Sequence, residues 1–98
     1  MQNWKTPLIS DLFSDITHLE TEDEISDFFR DLCTISELHE MAKRWKSAKM
    51  LHNGTSIRKI SEETGLSTTT VSRVNQWKKS MGEGGYDMLL SKLNTMNS

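Results

Sequence analysis

The stretch SEETGLSTTTVSRVNQW, residues 61–77, decides the fold. A helix-turn-helix needs a small residue where its helices cross, a turn residue that tolerates positive φ, and apolar anchors beneath the second helix. Ser61, Gly65 and the pair Val71 and Val74 meet those needs in order. Ile57 and Ile60, just upstream, supply the buried side of the first helix, and Ser67 is a suitable N-cap for the second. The positions left facing outward are Thr68, Thr69, Ser72, Arg73 and Gln76. Their hydroxyls and donors suit base edges and phosphates in a major groove. Free amides behind Ser67 can also hold a phosphate.

The whole chain has a formal net charge of −2, an awkward sign for meeting a polyanion. Its distribution removes the difficulty. Residues 1–40 hold two basic side chains against ten acidic ones, a net of −8. Residues 41–80 hold nine against two, a net of +7, and the remainder carries −1. Binding responds to the field that faces the phosphates, not to the total. Charge alone would equally suit a solvated basic helix face, so the motif carries the argument. Arg58, Ser67, Thr68, Thr69 and Ser72 are the expected base readers, with Thr70 beside them. Lys59, Arg73 and Lys78 are the expected backbone contacts.

Working outward, apolar residues at three-to-four spacing from Leu8 to Leu19 predict an amphipathic helix after Pro7. Thr21-Glu22-Asp23-Glu24 and Thr34-Ile35-Ser36-Glu37 read as capping boxes that open the next two helices. The second of these runs to a stop at Gly54, carrying Ile35, Leu38, Met41, Ala42, Trp45 and Ala48 on one face. IRKISEET is a short helix ending at Gly65, and the helix behind Ser67 runs toward Lys79. MGEGGYD is a loop, and Tyr86 to Met96 a last helix. The expectation is an all-α single domain of six helices. Residues 1–53 are helices for dimerisation, 54–79 the helix-turn-helix, and 80–98 a loop and C-terminal helix. The apolar surface from Leu12 and Phe13 to Phe28 and Phe29 exceeds what one reading head needs, so a second copy is expected to cover it.

Other chemistry is thin. His18, His39 and His52 are scattered without a metal-ligand pattern, and no base accompanies the run of threonines. There is no phosphate-binding glycine loop, no leader-like N-terminus and no apolar run long enough to span a membrane. The single cysteine, Cys33, fits a reducing compartment, and a cytoplasmic protein without catalytic or metal-binding residues is expected. An interaction adaptor that uses the helix pair to bind another protein is the alternative from a different class.

The segment GLSTTTVSRVNQ looks on its own like the reading helix of lac-repressor-class regulators. The wider pattern is LCTISELHEMAKRW, then LHNGTSIRKISEETGLSTTTVSRV, then the GEGGY loop. It resembles the trp repressor superfamily, and most closely its YerC/YecD branch. That resemblance implies an intertwined, all-helical homodimer with two reading heads on a near-palindromic stretch of double-stranded DNA. The family's habit is repression. Resemblance also implies an effector site in which Arg44 and Arg73 match two arginines flanking a bound tryptophan, and Thr34 a threonine lining it. Val74 departs from the pattern, standing where the trp repressor has a glycine that makes room for the ligand. No cofactor is therefore expected, tryptophan included, and a small-molecule effector is left open.

Overall fold

The computed structural model of the protein describes residues 3–97, and side chains through Asn94. The first two residues of the stretch read for a leader, and the side chain of Met96, lie outside the described ones. Six α-helices follow one another, with no strand among the described residues. They are α1 (Pro7–Ile16), α2 (Glu22–Leu32), α3 (Ile35–His52), α4 (Ile57–Thr64), α5 (Thr68–Gln76) and α6 (Gly85–Asn97). A five-residue π-turn, Trp77–Met81, continues α5. The described chain forms two compact units, one up to Leu38 and one from His39 onward.

In the first unit the helix ends follow from local chemistry. Pro7 sits at the start of α1, and Thr6 Oγ1 accepts from the Ile9 amide at 3.3 Å. The helix stops short of the expected Leu19. The Thr17 hydroxyl donates to the Ser14 carbonyl at 2.6 Å, and the amides of His18 and Leu19 reach back only three residues, tightening the chain into a turn. Thr21 caps α2 by accepting from the Glu24 amide at 3.1 Å. The carboxylate of Glu24 reaches one residue beyond the reciprocal partner, to the Glu20 amide at 2.8 Å. Arg30 closes the other end of α2, donating to the Cys33 carbonyl at 3.1 Å. The second box is reciprocal: the Thr34 amide donates to Glu37 Oε1 at 2.8 Å, and the Glu37 amide to Thr34 Oγ1 at 3.1 Å. Neither α1 nor α2 contains a buried residue, and Leu8 is 81% exposed.

In the second unit α3 ends as its glycine predicts. Gly54 takes φ +84°, its amide bonds to the Leu51 carbonyl at 3.0 Å, and the Thr55 amide reaches the Met50 carbonyl at 3.0 Å. Those paired bonds are a Schellman motif. The core is small: Ile60, Leu66 and Val71 are buried together, with Met50, Leu51 and Ile57 packed against them. Ala48, Val74 and Leu90 are also buried. Trp45, half-buried on α3, stacks on Tyr86 of α6 with centroids 6.1 Å apart and planes 18° from parallel.

Ile60 has no exposed surface, so Ile60→Ala removes apolar contacts and leaves a cavity in this small core. Denaturant unfolding should record a loss of about 2–5 kcal/mol. The bonds from the Thr34 amide and then the Thr34 hydroxyl hold the Glu37 carboxyl below its ordinary range. A carboxyl lowered in the folded state stabilises above its unfolded pKa and loses that contribution as pH falls through the folded one. NMR titration should place the Glu37 midpoint below that of a glutamate in the unfolded chain, and Thr34→Ala should raise it.

Candidate nucleic-acid interface and the adjoining cavity

The turn between α4 and α5 is built from two hydroxyls and one glycine. Ser56 caps α4, accepting from the Lys59 amide at 3.2 Å. Gly65 takes φ +79°, where a side chain would be strained, and its amide bonds to the Ser61 carbonyl at 3.0 Å. The Ser61 hydroxyl crosses the turn to donate to the Leu66 carbonyl at 2.6 Å. Thr64 Oγ1 donates to the Ile60 carbonyl at 2.8 Å and accepts from the Leu66 amide at 3.2 Å. With its polar groups engaged, the turn delivers Leu66 to the core.

Helix α5 then presents two faces. Val71 and Val74 are buried beneath it, as its spacing predicts. Thr68, Thr69, Arg73 and Gln76 are exposed, and Ser72 is half-exposed. Ser67 caps the helix, accepting from the Thr70 amide at 3.1 Å and lying 3.0 Å from the Thr70 hydroxyl. Thr70 is thereby half-buried and engaged with the cap, unlike its two predecessors. On α4, Arg58 and Lys59 make exposed pairs with Glu62 and Glu63 at 3.6 and 3.7 Å. Such pairs contribute little and exchange readily for another anion. Lys78 differs: its side chain is only 15% exposed, and its ammonium sits 2.8 Å from Asp87 of α6. The sequence marks Lys78 as a cation but does not say that Asp87 holds it.

Behind α5 lies a cavity of about 400 Å³ lined by Glu40, Arg44, Thr70, Arg73, Val74, Trp77 and Tyr86. Arg44 and Arg73, two of the three expected effector ligands, share it, while Thr34 is engaged as the cap of α3 in the other unit. Sequence reading did not single out Glu40, Trp77 or Tyr86 as part of this site. Trp77 is 53% exposed, because α5 ends at Gln76 and the π-turn redirects the chain. The π-turn closes through the Gly82 amide, which donates to the Trp77 carbonyl at 3.0 Å. A Cβ at Gly82 would lie 2.5 Å from indole Cδ1 and Nε1 of Trp77, so only glycine admits this approach. The missed signal is the conjunction of a tryptophan and a glycine five residues apart. Among the described residues no cluster of His, Cys, Asp or Glu could hold a metal ion. No helix among them is long and apolar enough to cross a membrane.

Six helices and no strand among the described residues, a helix-turn-helix with an outward hydroxyl-rich face, and a cavity whose walls include two arginines define the class. The chain belongs to the Trp repressor protein family, whose family model matches residues 8–94. This is a family of DNA-binding regulators, not of enzymes. A TrpR-like protein from Eubacterium eligens is 41% identical, with 92% of each chain covered and a TM-score of 0.85. A Staphylococcus aureus protein proposed to be a Trp repressor is 36% identical, covering 96% of this chain and 95% of its own, with a TM-score of 0.86. The uncharacterized protein YerC of Bacillus subtilis is 40% identical over 85 residues, 87% of this chain and 81% of that protein. The YerC-like character read from the sequence agrees with these relatives.

The Lys78–Asp87 pair ties the π-turn to α6. Because Asp87 is 55% exposed, solvent screens the pair, and Lys78→Gln should cost about 1 kcal/mol or less in urea unfolding. In a double-mutant cycle with Asp87→Asn the two losses should not add.

Proposed function

We propose that this protein is a sequence-specific DNA-binding regulator, acting as a repressor and binding a near-palindromic operator as a homodimer. The observation that carries the reading is the two-faced α5: Val71 and Val74 are buried, while Thr68, Thr69, Arg73 and Gln76 remain available. Membership of a DNA-binding family supports it. So does the apolar surface left open on one chain, where α1 and α2 bury no residue and Phe13, Ile25, Leu32 and Ile35 are exposed. A second copy would cover such a surface and bring a second reading helix, about 34 Å away, into the next major groove. Thr68, Thr69 and Ser72, with Arg58, would read bases. Arg73 and Lys59 would hold phosphates, the weak Lys59–Glu63 pair giving way to the stronger anion.

Ligand gating is a second reading, favoured by the cavity that joins Arg44 to Arg73. Tryptophan is disfavoured, since Val74 lines the cavity where the trp repressor has a glycine that makes room for the ligand. Repression of a target promoter, as opposed to activation, rests on the family's habit.

Fluorescence anisotropy against a pool of labelled duplexes, at low and then physiological salt, tests the proposal. Thr69→Ala should relax base preference while keeping overall affinity for mixed sequence. Lys59→Gln, present twice in the dimer, should weaken all sequences alike and reduce the slope of log K against log salt by roughly 1.8. Absence of binding at low salt would instead favour either a missing effector or an adaptor whose helix pair engages a protein.

A further inference from the structure

Lys43 belongs to α3, outside the helix-turn-helix, yet its ammonium lies beside the turn of that motif. We infer that Lys43 is a backbone-phosphate contact of the reading head, supplied from α3 at the turn that leads into α5. The inference rests on the DNA-binding reading and adds a contact that neither helix of the motif provides.

Lys43 Nζ lies 4.0 Å from the point where a Cβ would stand on Gly65. Two residues after Gly65 comes Ser67, the cap of α5, and then the exposed Thr68 and Thr69. In a docked helix-turn-helix the N-terminal residues of the second helix meet the base edges. The turn just before them then lies along the phosphate rim of the groove, where contacts fix register and do not read sequence. A lysine suits that duty, being a point charge on a flexible stem.

Helix α3 is fixed against the motif, so Lys43 has a defined starting point. Met50 and Leu51 pack on Ile60, Leu66 and Val71. Ser47 has no exposed surface, and its hydroxyl donates to the Lys43 carbonyl at 2.9 Å. Lys43 itself is exposed and enters none of the ion pairs among the described residues. Arg58 and Lys59 must leave glutamates to meet a phosphate; Lys43 has no such exchange to make. The last turn of α4 holds Glu62 and Glu63 and no cation of its own, so a charge beside Gly65 also complements that helix end. Counterions separate the two effects, because only a phosphate contact releases them.

The test compares wild type, Lys43→Gln and Lys43→Arg on the duplex that the labelled pool selects. With two copies in the dimer, Lys43→Gln should reduce the slope of log K against log salt by roughly 1.8. Its affinity deficit should accordingly shrink about twelvefold between roughly 50 and 200 mM salt. Lys43→Arg should restore the slope, and all three proteins should share one base preference. Neutral methylphosphonates, placed singly along the duplex, should weaken wild type at a position in each half-site to which Lys43→Gln is indifferent. A lowered Tm with an unchanged slope assigns Lys43 to the end of α4 and overturns the inference. Equal sensitivity of both proteins at every phosphate overturns it too. A wild type that binds no duplex, with or without a low-molecular-mass cell extract, overturns the DNA-binding reading and this inference together. A wild type that binds with a slope shared by Lys43→Gln overturns the inference alone.

Discussion

One left-handed residue governs the reading head. Gly65 reverses the chain between α4 and α5 at φ +79°, and the Ser61 hydroxyl, bonded to the Leu66 carbonyl, locks the reversal. From that turn follow the burial of Leu66 beside Ile60 and Val71 and the N-cap at Ser67. The outward direction of Thr68 and Thr69 follows too. A side chain at position 65 would strain the backbone, and the strain would fall on the turn that sets the direction of Thr68 and Thr69.

The two units divide the electrostatic work. Acidic side chains concentrate in the N-terminal helices, and the basic ones in α3, α4, α5 and the π-turn. Not every cation in the basic segment is equally available, however. Lys78 is committed to Asp87, whereas Arg58 and Lys59 sit in exposed pairs that an incoming phosphate can replace. Formal charge therefore overstates the number of contacts the surface can offer, and the count of counterions released follows the available cations.

Much of this architecture is legible in the residues themselves. The stop at Gly54, the reciprocal box of Thr34 and Glu37, and the anchors Val71 and Val74 are each specified by neighbours three to five positions away. What escapes sequence reading depends on pairs that propensity does not couple. Trp77 to Met81 are acceptable helix formers, so nothing local announces a π-turn; it forms because the Gly82 amide reaches the Trp77 carbonyl. Lys78 looks exposed until Asp87, beyond a glycine-rich loop, is brought beside it. Of the cavity's walls, Arg44, Thr70, Arg73 and Val74 are marked by the sequence pattern, whereas Glu40, Trp77 and Tyr86 carry no motif.

The hydrogen bonds that end each helix have a consequence for the order in which the molecule assembles. Caps at Ser56 and Ser67, the Schellman turn and the Ser61 crossing all join residues at most five apart in the chain. Short-range contacts demand little loop-closure entropy and form early. The helix-turn-helix can thus take shape on a nascent, solitary polypeptide, whereas the open apolar faces of α1 and α2 must wait for whatever covers them. Formation of the helix-turn-helix and covering of those apolar faces become separate kinetic events, and the first does not wait for the second.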